Sequence, residues 1–291
     1  MTGHAFDHCS IVLPFSAAGK RHLGNHRLIS LGGSVVKRGV VYALSHPAWL
    51  DETLMSAATV RRHMPDLARQ LYATRDLIDQ VRSTDADHFT ELITLDTLAH
   101  PHRPRFESML ETGLDQALFV DGDTYFVDQT YELFELLELF DIAMAPAPQY
   151  FHPRSLRADI HDRLPRVSQA LPEWNSGVIA ANVTAACRDM VREWMRLFAI
   201  CRAEKCHTDQ PALRVALAMS RLRIATLPTN YNFRANMPQV VNRRVKILHA
   251  HGDLEQIAGY INGSEANRSY VPNKQEIHGF YPKGLTRTKS G

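Results

Sequence analysis

Short, largely apolar runs alternate along this chain with longer stretches of helical periodicity, and that alternation restricts its fold more than any other feature. Gly39–Leu44, Gln70–Ala73, Ala117–Val120, Ile142–Ala145 and Val178–Ala181 lack the polar alternation of a half-exposed strand and are too short for buried helices,. They read as strands covered on both faces, with further strands around Phe89–Leu95, Ile224 and Ile247. Between them, Pro47 suits the first turn of a helix carrying Trp49, Leu50, Leu54, Met55, Ala58 and Val60. Helices are likewise expected over Asp76–Val81, Arg105–Glu111, Tyr131–Phe140, Ala185–Ile200 and Pro211–Met219. The alternation implies an α/β domain: a mainly parallel sheet flanked by helices, with ligands bound beyond the carboxyl ends of its strands.

The 291 residues are enough for one large core without disulfide staples,. A formal net charge of +2 supplies no basic field for nucleic acid,. No apolar run approaches the length of a membrane span, and no basic-then-apolar leader opens the sequence. Four scattered cysteines argue for reduced thiols, including Cys201 and Cys206 beside His207,. The expected location is therefore cytoplasmic. Residues 1–34 read as a loosely ordered extension, 35–261 as a single catalytic domain and 262–291 as a polar tail. The segment 147–173, rich in Pro, His and Arg, is long enough for a lid or binding loop.

The sharpest chemical signal is Leu118-Phe119-Val120-Asp121-Gly122-Asp123. A buried run does not end in two carboxylates without something to neutralise them, because unpaired buried charge costs several kcal/mol. Gly122 lets the backbone turn between them. Converging carboxylates suit Mn²⁺ or Mg²⁺, which prefer oxygen ligands and share substrate phosphates. A second apolar run, Val245–Leu248, ends in His249-Ala250-His251, where an imidazole could add a third ligand. His100 and His102 flank prolines and read as surface residues. Trp174-Asn175-Ser176-Gly177 either turns the chain or offers neutral polar groups to sugar hydroxyls, with Gly177 allowing a ligand close to the backbone. Thr208-Asp209-Gln210 either caps the following helix or faces the site.

In this order the segments resemble the family-eight glycosyltransferases of the GT-A fold. The likeness runs from about Gly39 to Gly252 and rests on Asp121-Gly122-Asp123, Asn175-Ser176-Gly177, Asp209-Gln210, Leu227-Pro228-x-x-Tyr231-Asn232 and Ile247-Leu248-His249. The resemblance implies a nucleotide-sugar donor, UDP-sugar favoured, and a hydroxyl acceptor that the sequence does not identify. It implies that Asp121, Asp123 and His249 hold Mn²⁺ or Mg²⁺. It assigns donor contacts to Ala43, Ser45, Trp49, Arg105, Asn175, Ser176, Gly177 and Gly252. Asp209 and Gln210 fall nearest the transferred sugar, with retention at the anomeric carbon; an inverting enzyme would instead draw a base from Asp159 or Asp162. The chain departs from the family after Gly252, where Asp253-Leu254-Glu255 replaces a segment whose Lys contacts the diphosphate. Arg105 or Lys274 would have to substitute, or the fold binds a sugar nucleotide without turnover. Two enzyme rivals share part of the pattern. Haloacid-dehalogenase-type phosphohydrolases also end a strand in Asp-x-Asp, but near the start of the fold and without Tyr125. A metallo-hydrolase on His249-x-His251-x-Asp253 would need a histidine where Leu254 stands.

Overall fold

In the computed structural model, the described residues are 35–272 except 85, 96–102, 149–162, 169, 204–205, 207, 242 and 265–266. The expectations for residues 1–34, His100, His102, Asp159, Asp162, His207 and Lys274 lie outside them.

Seven strands make the central sheet. They are β1 (Arg38–Leu44), β2 (Ala68–Thr74), β3 (Glu91–Leu95), β4 (Gln116–Val120), β6 (Ile142–Pro146), β7 (Trp174–Asn182) and β8 (Ile224–Thr226), ordered β3-β2-β1-β4-β7-β6-β8. β7 alone runs against its neighbours, so the sheet is mainly parallel as expected. Alternate residues of each strand enter different layers, which is why the runs are largely apolar. Val41, Ala117 and Phe119 pack with Phe106, Met109, Trp194 and Leu213 on one face. Val40, Tyr42, Leu44, Leu118 and Val120 pack with Val60, Ile78, Leu133 and Phe134 on the other. The first face is covered by α3 (Arg103–Glu111), α5 (Ala185–Ala203) and α6 (Gln210–Met219). The second is covered by α1 (Leu50–His63), α2 (Arg75–Thr84) and α4 (Glu132–Leu136).

A smaller sheet, β5-β11-β9, stands at the carboxyl end of β4 and is built from Thr124–Phe126, Ile247–His249 and Phe233–Arg234. Tyr125, Phe233, Val245, Leu248, Leu254, Ile257 and Ile261 form its own apolar cluster. The last three belong to α7 (Leu254–Ile261), whose N-cap Asp253 accepts from the Gln256 amide at 3.0 Å.

Several local expectations are corrected. The buried face of α1 includes Thr53, Ser56 and Thr59, while Met55 is exposed, because these hydroxyl residues pack beneath the Asp121–Asp123 turn. The helix over Tyr131–Phe140 shortens to α4 and continues as i→i+3 turns. Trp174–Gly177 is the start of β7 rather than a turn. The stretch beyond Asn262 contains β12 (Arg268–Tyr270), paired with β10 (Gln239–Val241), and Tyr270 packs edge-on against Phe233.

Candidate metal and donor site

The sheet topology draws the sequence-distant motifs to one place. β4 ends at Val120, opposite Val178 of the reversed β7, so the polar start of β7 lies beside the end of β4. The Asp121 amide donates to the Gly177 carbonyl at 3.0 Å, which fixes that junction. Antiparallel pairing sets His249 opposite Thr124, and the Ala250 amide donates to the Asp123 carbonyl at 3.0 Å. Parallel pairing sets Arg234 opposite His249.

The turn that carries the carboxylates is held from below. The Thr124 hydroxyl donates to the Asp121 carbonyl at 2.8 Å and lies 2.8 Å from the Ser56 hydroxyl, which in turn is 3.1 Å from that of Tyr42. Gly122 has no left-handed backbone to accommodate, contrary to the expectation of a glycine-dependent turn. Its need is space: a Cβ there would collide with the Thr53 side chain,.

Asp121, Asp123 and His249 each offer one ligand atom, and these atoms lie within 4.8 Å of one another. His249 Nε2 is 3.3 Å from Asp123 Oδ1 and 3.6 Å from Asp121 Oδ2. The imidazole is buried, and burial drives it towards the neutral form below its ordinary pKa, more strongly than Asp123 draws it the other way. Its tautomer follows from the neighbours. Nδ1 donates to Asn232 Oδ1 at 2.7 Å, and Arg234 Nη1 donates to Nε2 at 3.2 Å, so the Nε2 lone pair is the one aimed at the carboxylates. Asn232 Nδ2 donates to Asn175 Oδ1 at 2.9 Å, which also accepts from the Gly177 amide at 2.9 Å. Such outer partners commonly orient a metal-ligating histidine. Burial acts against ionisation of Asp123, but His249 when protonated, and the cationic His251 and Arg234, outweigh it and hold the carboxyl well below the usual range. Of the His249–Asp123 pair, the neutral imidazole beside an ionised carboxylate is the state that these hydrogen bonds favour. Two carboxylates and a neutral imidazole with an inward lone pair are a donor set that fits Mn²⁺ or Mg²⁺.

Beside the carboxylates is a cleft of about 390 Å³ lined by Ala43, Ser45, Trp49, Arg105, Arg234 and His251, among others. Trp49 stacks on His251 with ring centroids 4.9 Å apart. His251 Nδ1 lies 3.1 Å from Glu52 Oε2, and Nε2 is 3.6 Å from Asp123 Oδ2. Burial opposes its protonation, yet Glu52 and Asp123 raise its pKa above 6.5. Gly252, with φ of 105°, follows immediately; its amide is directed at Glu52, and the residue does not line the cleft.

Arg105 is the hub on the opposite wall. It pairs with Asp121, donates to the Ser176 hydroxyl at 2.7 Å and reaches Asp209 at 3.2 Å. Asp209 is the N-cap residue of α6, yet its side chain makes no capping bond. It instead turns toward Arg105 and Ser176, while the Thr208 hydroxyl lies 3.5 Å from the Gln210 amide, so any side-chain cap comes from Thr208 and not from Asp209. The Asp209 carbonyl accepts from Trp194 Nε1 at 3.1 Å, which anchors the start of α6 to α5. Gln210 and Asn175 line a separate space of about 40 Å³, together with Arg234, Met237, Ala147 and Pro148. Gly177 is approached closely as expected, but by the His249 ring rather than by a ligand.

The sequence reading offered His251 as a possible ligand, both at the end of the apolar run and in the metallo-hydrolase motif, whereas it sits against Glu52 and Trp49 beside the triad; it missed Arg234, Glu52 and Thr53. The Arg234 position depends on the pairing of β9 with β11, and a two-residue strand carries no periodic signal.

No protein-family model matches the chain, and no curated protein does. Solved structures do match by fold. The glycosyltransferase GlyE of Streptococcus pneumoniae TIGR4 aligns at TM-score 0.50 and 17% identity, over 74% of this chain and 54% of its own. Mouse xyloside xylosyltransferase 1 aligns at TM-score 0.50 and 12% identity, over 74% of this chain and 98% of its own. The galactosyltransferase LgtC, solved with donor and acceptor sugar analogs, aligns at TM-score 0.50 and 12% identity, over 82% and 99%. At such identities the likeness speaks for the fold, which is the GT-A fold of these glycosyltransferases. The chain spans about half the length of GlyE.

Proposed function

We propose that the protein is a metal-dependent glycosyltransferase that moves a sugar from a nucleotide-diphosphate donor, with UDP-sugar favoured, to an acceptor hydroxyl. The observation that carries this reading is the convergence of Asp121, Asp123 and a neutral His249 at a cleft that Arg105 also lines, with Ser176 and Asp209 bound to Arg105 behind it. A divalent cation on the first group supplies positive charge against a leaving diphosphate, whose departure is slow while its charge is unscreened.

The chain's own residues provide the rest. Asn232 and Asn175 fix the His249 tautomer, and the hydroxyl chain through Thr124 holds the Asp121–Asp123 turn. Arg105 orients Asp209 and Ser176 together. In this reading Asp209, with Gln210 beside it, faces the sugar and stabilises the positive charge that develops at its anomeric carbon. That carbon loses its bond to the diphosphate oxygen and gains one to the acceptor oxygen, whose proton leaves with the diphosphate. Retention at the anomeric carbon is part of the proposal. Ala43, Ser45 and Trp49 line the part of the cleft assigned to the nucleoside. Among the described residues no helix is long and apolar enough to cross a membrane.

Calorimetric titration of UDP tests this, first with Mn²⁺ and then with EDTA, beside a variant carrying Asp121→Asn and Asp123→Asn. Binding that needs the cation and vanishes in the variant is the expected result. Equal heats in all three conditions would overturn the metal-dependent donor site. Turnover is then read as release of free sugar from a panel of UDP-sugars.

A further inference from the structure

The cleft needs more positive charge than a divalent cation alone provides. Asp121 and Asp123 already balance such an ion, so a nucleoside diphosphate adds negative charge that other groups must meet. Arg105 is committed to Asp121, Asp209 and Ser176. From Ala250 to Ile261 the chain carries no Lys or Arg. Most of that stretch is α7, whose N-terminus is occupied by its own cap, Asp253.

Arg234 is placed differently. β9 delivers it beside His249, and it lines both the main cleft and the small space next to Gln210 and Asn175. Among the described residues its guanidinium makes one side-chain hydrogen bond, Nη1 to His249 Nε2 at 3.2 Å, and its buried Nε has no hydrogen-bond partner. The His249 lone pair is also the one a cation would take, so an occupied metal site removes even that partner. A guanidinium presents five N–H donors in a fixed fork suited to phosphate. Leaving most of them unused at a half-buried position is costly unless an anion arrives.

We propose that Arg234 is the phosphate-binding cation of this site, clamping the distal phosphate of a nucleoside diphosphate between the metal ligands and the sugar side of the cleft. This rests on the glycosyltransferase reading above and adds the residue that holds the leaving group. Arg234 then carries the charge-neutralising role that the sequence left open between Arg105 and Lys274.

The test compares wild type, Arg234→Gln and Arg234→Lys in three titrations: Mn²⁺ alone by electron paramagnetic resonance, then UDP and UMP by calorimetry in saturating Mn²⁺. In the Gln variant, UDP affinity should fall about 10–100-fold, the range expected for hydrogen bonds to a charged group. UMP, which lacks the distal phosphate, should change by less than about threefold, and Mn²⁺ alone should bind as well as before or better. The Lys variant should recover part of the UDP affinity. Wild-type UDP affinity in Arg234→Gln overturns the assignment while leaving the glycosyltransferase reading intact. So does an equal loss for Mn²⁺, UMP and UDP, which would make Arg234 a prop for His249. Failure of wild type to bind UDP with Mn²⁺ overturns both readings together.

Discussion

Alanine at position 177 puts a methyl group where the imidazole of the candidate metal site already lies. Its Cβ would stand 2.5 Å from His249 Nδ1 and 3.0 Å from Asn175 Oδ1, and nearer still to His249 Cε1. Ordinary contact between such atoms settles near 3.5 Å, so the ring has to withdraw by about 1 Å or more. His249 is 1% exposed, and the open space next to it is the cleft on the side of the carboxylates. Withdrawal stretches the 2.7 Å bond to Asn232 and displaces Nε2 relative to the carboxylates. Overpacking of this kind costs about 1–3 kcal/mol. In a domain of this size that lowers the melting temperature by about 2–12 °C. Disturbing a ligating histidine together with its outer partner weakens metal binding by about 10–100-fold. The assay is a Mn²⁺ titration by electron paramagnetic resonance beside a calorimetric melt. Gly113→Ala is the control, because an added Cβ there meets nothing within 4 Å; it should match wild type in both measurements. The reasoning fails if Gly177→Ala binds Mn²⁺ as tightly as wild type, whatever happens to its melting temperature.

Asn232→Ala removes the acceptor that fixes the His249 tautomer, and should weaken Mn²⁺ binding by about 10–100-fold while the apolar core is untouched; an unchanged Mn²⁺ titration would show that the tautomer is set elsewhere. Burial pushes the Cys187 thiol up to about 11 and the Cys201 thiol up to about 12. Peptide mapping after iodoacetamide treatment at pH 8 should therefore find both unmodified in the native protein and modified in urea; rapid native alkylation of either would contradict their placement in the core. The His63 imidazole is held below its ordinary 6.5 chiefly by burial, against Asp128 and with Arg62 and Arg244. The unfolded chain then binds that proton more tightly, so the stability His63 contributes is full above pH 6.5 and declines as pH falls through the folded value. Urea midpoints at pH 7.5 and pH 5 should fall more steeply on acidification in wild type than in His63→Gln, and parallel slopes would exclude His63 as a source.

The strands of the main sheet were legible because both of their faces are buried, which leaves a near-continuous apolar run that hardly any other element produces. The two carboxylates after β4 were legible for the opposite reason, since charge at the end of such a run demands a partner. What the sequence hid was the role of small residues near those charges. Gly122 and Gly177 suggested a flexible turn and a path for ligand, yet each is small because a side chain of the protein itself, Thr53 or His249, occupies the space where a Cβ would be. Local sequence cannot reveal this, because the neighbour arrives from another element. Asn175 and Ser176 have turn composition and nevertheless belong to a strand, since antiparallel pairing of Trp174 with Pro146 of β6 extends β7 through them, which their own propensity does not,.

α7 was within reach of the sequence and was read past. Asp253 three residues before Gln256, with Leu254, Ile257, Ala258 and Ile261 on one face, is a capped amphipathic helix,. That helix matters for the site because it turns the segment after His249 into a structural element with no Lys or Arg to offer. Arg234 lies on a different element, with no motif to mark it, and only the register of β9 against β11 brings it to His249. A charge that one segment lacks can therefore be met by another that folds to the same point. In the proposed function, the departure after Gly252 moves the source of the diphosphate cation to Arg234, which would keep that departure compatible with turnover.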